Sequence, residues 1–142
     1  MTIILNHTIV PARDKLAAAR LFASIFGLNF NEQESDHFAP VRVNDTLTLL
    51  FDQDTSFNSH HYAFHVSDAE FDAFFERIKK AGFSYGSAPW SLDDGQLNDW
   101  NGGRGAYFKD PNGHVLELMT VPSDMLVDGV TSAPGSWLAR TP

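Results

Sequence analysis

Two stretches of the chain share one pattern of apolar and polar positions. Residues 5–12 and 60–66 are together rich in Ile, Val, Phe and Tyr, and each leads into a segment whose apolar positions recur every three or four residues. Asp14 can cap the first of these segments, and Ser67 can cap the second. The pattern therefore predicts a strand followed by an amphipathic helix, twice.

The two stretches are copies of an internal repeat. His7 falls on His61 and Asp14 falls on Asp68, so the step of seven residues from histidine to aspartate is the same in both copies. Self-similarity of this kind is typical of a supersecondary unit that occurs more than once. We therefore expect the two histidines to lie on equivalent strands.

Further strand-like runs follow each helical segment. Residues 38–52 contain two such runs, and residues 105–121 contain two more around the sequence DPNG, which is typical of a tight turn. We predict an α+β fold of two tandem βαβββ modules. The predicted boundaries are 1–122 for the single domain, 1–52 and 59–122 for its two modules, and 123–142 for an irregular C-terminal tail.

Composition excludes several classes of function. The chain of 142 residues has no cysteine, which excludes disulfides, thiolate metal sites and a cysteine nucleophile. A formal charge of −8 argues against a nucleic acid partner, and no apolar run approaches the ~20 residues that span a bilayer. We expect a cytoplasmic protein that binds a small organic molecule and neither nucleic acid nor membrane.

Strand parity separates the histidines of the second copy. His61 and His65 share one face of the predicted strand, whereas His60 has the opposite parity. Glu117 lies in the middle of the last predicted strand, where a carboxylate should be neutralised, paired or bound to a metal. Two imidazoles, from His7 and His61, with this carboxylate suit Fe(II), and Mn(II), Zn(II) or Ni(II) can compete. The alternative is that each histidine is hydrogen-bonded on its own and that Glu117 pairs with an arginine.

The segments LNHTIVPARD, HHYAFHVSD and GRGAYFKDPNGHVLELMT resemble the signature strands of the vicinal oxygen chelate superfamily, which contains glyoxalases, bleomycin resistance proteins and extradiol dioxygenases. The resemblance covers residues 2–121 and is greatest to the branch of the chartreusin-pathway dioxygenases. It implies a curved mixed sheet around one divalent metal ion, within a homodimer. It also implies that the metal ligands are His7, His61 and Glu117, and that Tyr107 hydrogen-bonds a substrate oxygen.

The resemblance leaves more than one activity open. We expect an Fe(II) dioxygenase-type oxidoreductase that acts on a small aromatic or vicinal-oxygen substrate, with His65 either moving a proton or supporting the site. A glyoxalase-like lyase or isomerase is an alternative, although Leu50 stands where that enzyme has a fourth, acidic ligand. A metal-free drug-binding protein of the bleomycin resistance type is another alternative, and it leaves the complete ligand set unexplained.

Aromatic residues indicate where a substrate ring could bind. Trp90, Trp100 and Phe38 are candidates for an aromatic pocket, although aromatic residues often simply pack in the core. Residues 91–105 form a polar, glycine-rich segment that is either a lid over the site or an ordinary long loop.

Overall fold

The computed structural model describes residues 3–122 and confirms an α+β fold with two helices and two mixed sheets. The predicted tail, residues 123–142, lies outside the described residues. In chain order the elements are β1 (His7–Ala12), α1 (Lys15–Phe26), a 3-10 turn (Glu32–Glu34), β2 (Phe38–Arg42), β3 (Thr48–Gln53), β4 (His61–His65), α2 (Asp68–Lys80), β5 (Tyr85–Gly86), a second 3-10 turn (Trp100–Gly102), β6 (Gly105–Lys109) and β7 (Val115–Met119).

The first compact unit contains residues 3–60 and 111–113 and is built on a sheet of order β1-β3-β2. β1 runs parallel to β3, and β2 runs antiparallel to it. The side chain of Asp14 caps α1 as predicted, and Gly27 ends the helix in the left-handed conformation at φ 65°. α1 packs on the sheet through Phe22, whose ring centroid is 5.9 Å from that of Phe51.

This unit differs from the prediction in one detail, because its described residues contain three strands where a βαβββ module has four. In the second unit the corresponding strand, β5, is only two residues long. In the first unit, Asn31 lies at that point of the repeat, and its side chain accepts a hydrogen bond from the backbone of Gln33. This side-chain bond starts the first 3-10 turn, and the turn replaces the short strand.

The second compact unit contains residues 61–110 and 114–122 of the described chain, with strand order β4-β7-β6-β5. β4 runs parallel to β7, and the other neighbours are antiparallel. Ser67 and Glu70 form the predicted capping box at the start of α2. The predicted turn joins β6 to β7, where the Asp110 N–H donates to the carbonyl of His114 and the Asp110 side chain accepts from the His114 N–H.

The two faces of β4 differ in exposure. His61, Ala63 and His65 are exposed, whereas Tyr62 and Phe64 are half-buried. This alternation agrees with the predicted parity of the strand and turns both strand histidines away from the apolar layer. Several residues of that layer are almost or fully buried, including Phe71, Ile78, Phe108, Leu116 and Leu118.

No helix within residues 3–122 is both long enough and apolar enough to cross a membrane.

Candidate functional site

Three neighbouring strands of the second unit bring one row of side chains together. Ala63 on β4 and Tyr107 on β6 are both register partners of Glu117 on β7. Directly opposite residues point to the same face of a sheet, and His61 shares that face with Ala63. The register therefore collects His61, Glu117 and Tyr107 on one face.

Glu117 is paired with His61 inside this row. The Nε2 atom of His61 lies 3.1 Å from Oε1 of Glu117, whose side chain is only 6% exposed, whereas the His61 side chain is 34% exposed. A buried carboxylate is costly unless it is paired or bound to a cation, so this contact satisfies Glu117. The separation also suits two ligands of one metal ion, because ligand atoms bound at about 2.1 Å and at right angles lie about 3 Å apart.

Tyr107 borders the same carboxylate and is completely buried. Among the described residues, its hydroxyl has no hydrogen-bond partner of good geometry. Leaving such a group unpaired costs about 1–3 kcal/mol, which favours a ligand that accepts a hydrogen bond from it. Burial, and after it the charge of Glu117, raise the pKa of Tyr107 above its ordinary value, so the hydroxyl stays protonated and is a donor.

His65 lies one pleat further along β4 and contacts a different group. Its Nε2 atom is 3.2 Å from the carbonyl oxygen of Thr120, just beyond the end of β7. Because a carbonyl oxygen only accepts hydrogen bonds, Nε2 must donate, and Nδ1 then carries the lone pair. His65 is therefore held next to the row, and its Nδ1 is the nitrogen that could accept a proton.

His7 belongs to the first unit, where it is the exposed first residue of β1 and the register partner of Thr48. Its Nδ1 atom is 2.8 Å from the side-chain oxygen of Asn6. That oxygen is an acceptor, so Nδ1 donates and Nε2 carries the lone pair, as a metal-binding histidine requires. Within residues 3–122, however, no three His, Asp or Glu side chains are grouped to hold a metal ion. Within the second unit, His61 and Glu117 are the two residues whose separation suits ligands of one metal ion.

The predicted aromatic residues divide between the two units. The ring centroid of Trp100 lies 6.0 Å from that of Tyr107 and 6.2 Å from that of Trp90. Phe38 lies in the first unit, where its ring contacts His37 at 4.7 Å. In the second unit, Trp100 therefore lies next to Tyr107 of the row, and Trp90 lies next to Trp100.

Sequence reasoning missed Asn98, which fastens the tryptophan-bearing loop. Its backbone bridges Gly105 at the start of β6, and its side chain bonds both Ser87 and the backbone of Trp100. The only local signal is an asparagine two residues before a tryptophan. Its bonds to Ser87 and Gly105 depend on how the chain folds back.

Comparisons with known proteins bear on the family and the fold of the chain. The family model described as the glyoxalase/bleomycin resistance protein/dioxygenase superfamily matches residues 4–118. No match was found among curated proteins.

Among solved structures, two oxidases are similar over most of their length. Oxidase ChaP-H2 is 45% identical, with a TM-score of 0.81, and the match covers 87% of this chain and 98% of that one. Oxidase ChaP-H1 is 40% identical, with a TM-score of 0.79, and the match covers 85% and 98%. A fosfomycin resistance protein, FosX from Mesorhizobium loti, is 22% identical with a TM-score of 0.65, covering 86% and 95%, and supports the fold alone.

The burial of Tyr107 leads to a spectroscopic prediction. In an alkaline titration followed at 295 nm, wild type and Tyr107→Phe should give the same phenolate absorbance up to about pH 11, because Tyr107 contributes no phenolate in that range. The folded state keeps this proton while the unfolded chain releases it near pH 10, so the raised pKa lowers the free energy of unfolding as the pH rises above about 10.

Tyr62 provides the control for this titration. Burial, and then the charge of Asp110, raise the pKa of Tyr62 to about 12, so only about a tenth of it ionises by pH 11, and equally in both proteins. A wild-type protein that gains one more phenolate than Tyr107→Phe near pH 10 would contradict the assignment.

Proposed function

The chain belongs to the glyoxalase/bleomycin resistance protein/dioxygenase superfamily, and from this membership we propose that it is a metal-dependent oxidoreductase of the dioxygenase type. Its substrate is a small molecule that is aromatic or carries two neighbouring oxygens. One observation carries the proposal: the buried Glu117 carboxylate is paired with His61 and lies beside the buried Tyr107 hydroxyl, which has no hydrogen-bond partner of good geometry within residues 3–122. The names of the two similar oxidases support the reaction class.

The proposed metal ligands are His61 and Glu117 of the second unit together with His7 of the first. Two imidazoles and one carboxylate favour Fe(II), and Mn(II), Zn(II) and Ni(II) are the alternatives. When bound, the metal would supply positive charge that acidifies a substrate hydroxyl. If it is iron, it would also supply a redox centre between the substrate, which is oxidised, and dioxygen, which is reduced. The donor set of each unit fits this role, because the His7 lone pair is on Nε2 and Glu117 is buried against an imidazole nitrogen.

Tyr107 and His65 have separate roles in the proposed reaction. Tyr107 is protonated and buried, so its hydroxyl donates a hydrogen bond to a substrate oxygen and orients the substrate beside Glu117. His65 is held by Thr120 with Nδ1 as its basic nitrogen, so it accepts the proton that the substrate hydroxyl releases. Burial of Tyr107 and Glu117 limits the access of water to the first of these steps.

Metal binding tests the proposed ligands. Calorimetry should show about one divalent ion per chain. Replacing any one ligand by glutamine should weaken the affinity by about 100-fold or more, because each variant removes a direct ligand, whereas loss of an outer-shell partner costs about 10- to 100-fold. The variants are His7→Gln, His61→Gln and Glu117→Gln.

His60→Gln is the matched control, because His60 is the neighbour of His61 and lies outside the row. It should leave metal affinity unchanged, and so should His65→Gln. The ligand assignment is wrong if the metal survives His61→Gln and is lost in His60→Gln. The metal proposal fails if none of the four ions binds better than millimolar.

Oxygen consumption tests the reaction class. Protein loaded with Fe(II) without oxygen is mixed with a panel of catechols and quinones, and uptake of dioxygen is followed with an electrode. We expect uptake with at least one compound, and turnover about 100-fold lower in His65→Gln, since general bases contribute about 10²–10⁴-fold. His60→Gln should match wild type, and absence of uptake across the panel would rule out the oxidoreductase proposal.

The proposal also includes a homodimer. In the first unit, Ile3, Ile4, Leu5 and Ile9 are from 45% to 97% exposed, and exposed apolar residues of this number favour an interaction surface. Light scattering at micromolar concentration should therefore give twice the mass of the 15.8 kDa chain. A mass equal to one chain would exclude the dimer.

A further inference from the structure

The loop between β5 and β6 in the second unit lies close against a glycine of the sheet at each of its ends. A Cβ atom on Gly86 would lie 1.8 Å from the backbone oxygen of Ser91, so only glycine lets the loop cross β5 there. A Cβ atom on Gly105 would lie 2.4 Å from the side-chain oxygen of Asn98. Both glycines therefore make room for the loop itself.

The interior of the loop is held by one carboxylate. Asp94 accepts hydrogen bonds from the backbone and hydroxyl of Ser87, from the hydroxyl of Ser91 and from the backbone of Gln96. Of the two expectations for this segment, an internally bonded loop agrees with these contacts better than an unfastened lid. These hydrogen bonds give the loop a defined shape.

Asn98 connects Trp100 to the rest of the loop and to β6 through hydrogen bonds. Its backbone N–H donates to the carbonyl of Gly105 at 2.9 Å, and its carbonyl accepts from the Gly105 N–H at 3.0 Å. Its side-chain amide donates to the carbonyl of Ser87 at 2.9 Å, and its side-chain oxygen accepts from the Trp100 N–H at 3.2 Å. Gly105 lies one pleat from Tyr107 on β6, so this clamp sets the position of Trp100 next to the tyrosine.

The ring of Trp100 is half-buried and meets the ring of Tyr107 edge to face, at 64°. Its other neighbour, Trp90, is 54% exposed. An aromatic surface therefore extends from the buried Tyr107 towards solvent. A planar ring that accepts the Tyr107 hydrogen bond through one of its oxygens would have this surface beside it.

We propose that Trp100 is the specificity-determining residue of the site, which selects an aromatic ring over a saturated one, and that Asn98 is the residue that positions it. The proposal rests on the proposed function, because it assumes that substrate binds at Tyr107, and it names the ring as the feature that is recognised. Aromatic pairs contribute enough beyond simple burial to change affinity by about 3- to 10-fold.

Two probes separate recognition of the ring from recognition of its oxygens. Catechol and cis-1,2-cyclohexanediol both carry neighbouring hydroxyls on a six-membered ring, and only catechol is flat. Their dissociation constants are measured by calorimetry on the purified, metal-loaded protein without oxygen. The measured quantity is the ratio of the two constants, which cancels effects common to both diols.

The variants should change this ratio in a fixed pattern. Trp100→Leu should lower the preference for catechol by about 3- to 10-fold, and Trp100→Phe should retain most of it. Asn98→Ala should lower it as much as Trp100→Leu, and the double variant should lose nothing further, because Asn98 acts through Trp100. Leu97→Ala is the matched control on the same loop and should leave the ratio unchanged.

A measurement on the wild type covers the case in which Trp100→Leu does not fold. Catechol should shift the indole N–H resonance of Trp100 in a ¹H–¹⁵N spectrum, and cyclohexanediol should shift it less. An unchanged ratio in folded Trp100→Leu overturns the proposal, as does an indole resonance that responds equally to both diols.

These outcomes are distinct from failure of the proposed function. Trp100-dependent preference for catechol without any uptake of dioxygen would keep the inference and reject the oxidoreductase. Uptake of dioxygen with the same preference in wild type and Trp100→Leu would keep the oxidoreductase and reject the inference.

Discussion

The buried carboxylate of Glu117 is the constraint on which the second unit depends. A charge in that position is tolerated only because the strands on both sides bring it partners. β4 supplies His61 and, directly opposite the carboxylate, only the methyl group of Ala63. β6 supplies Tyr107, whose ring lies 5.8 Å from that of His61. Any ligand of this site must therefore satisfy a carboxylate, an imidazole and a phenol together.

The same carboxylate also fixes the register of the sheet. Leu116 and Leu118 flank Glu117 on β7 and are almost completely buried in the apolar layer. A slip of one residue would turn Glu117 into that layer and move both leucines to the face that carries the candidate site, at a large cost in free energy. The residue at the centre of the candidate site thus also makes the strand pairing unambiguous.

Local pattern and the internal repeat were sufficient to predict the helix caps, the parity of β4 and the turn between β6 and β7. Each of these depends on residues close in sequence, such as Ser67 with Glu70. The clamp at Asn98 could not be predicted, because its partners Ser87 and Gly105 lie on separate parts of the chain. Within the described residues, the first unit has three strands, and the 3-10 turn that Asn31 caps lies where the second unit has its short β5. The ligand role of His7, implied by family resemblance, stays a prediction.

The close contacts of the β5–β6 loop with two glycines have a consequence for the sequence changes that this part of the chain tolerates. Gly86 is on β5 and Gly105 is on β6, whereas the Asp94 hydrogen bonds lie wholly inside the loop. Loop residues other than Ser91 and Asn98, which meet the two glycines, can therefore change while the strand row that carries Glu117 keeps its register. The part of the unit that holds Trp100 and the part that holds Glu117 thus differ in how far a change of sequence in one disturbs the other.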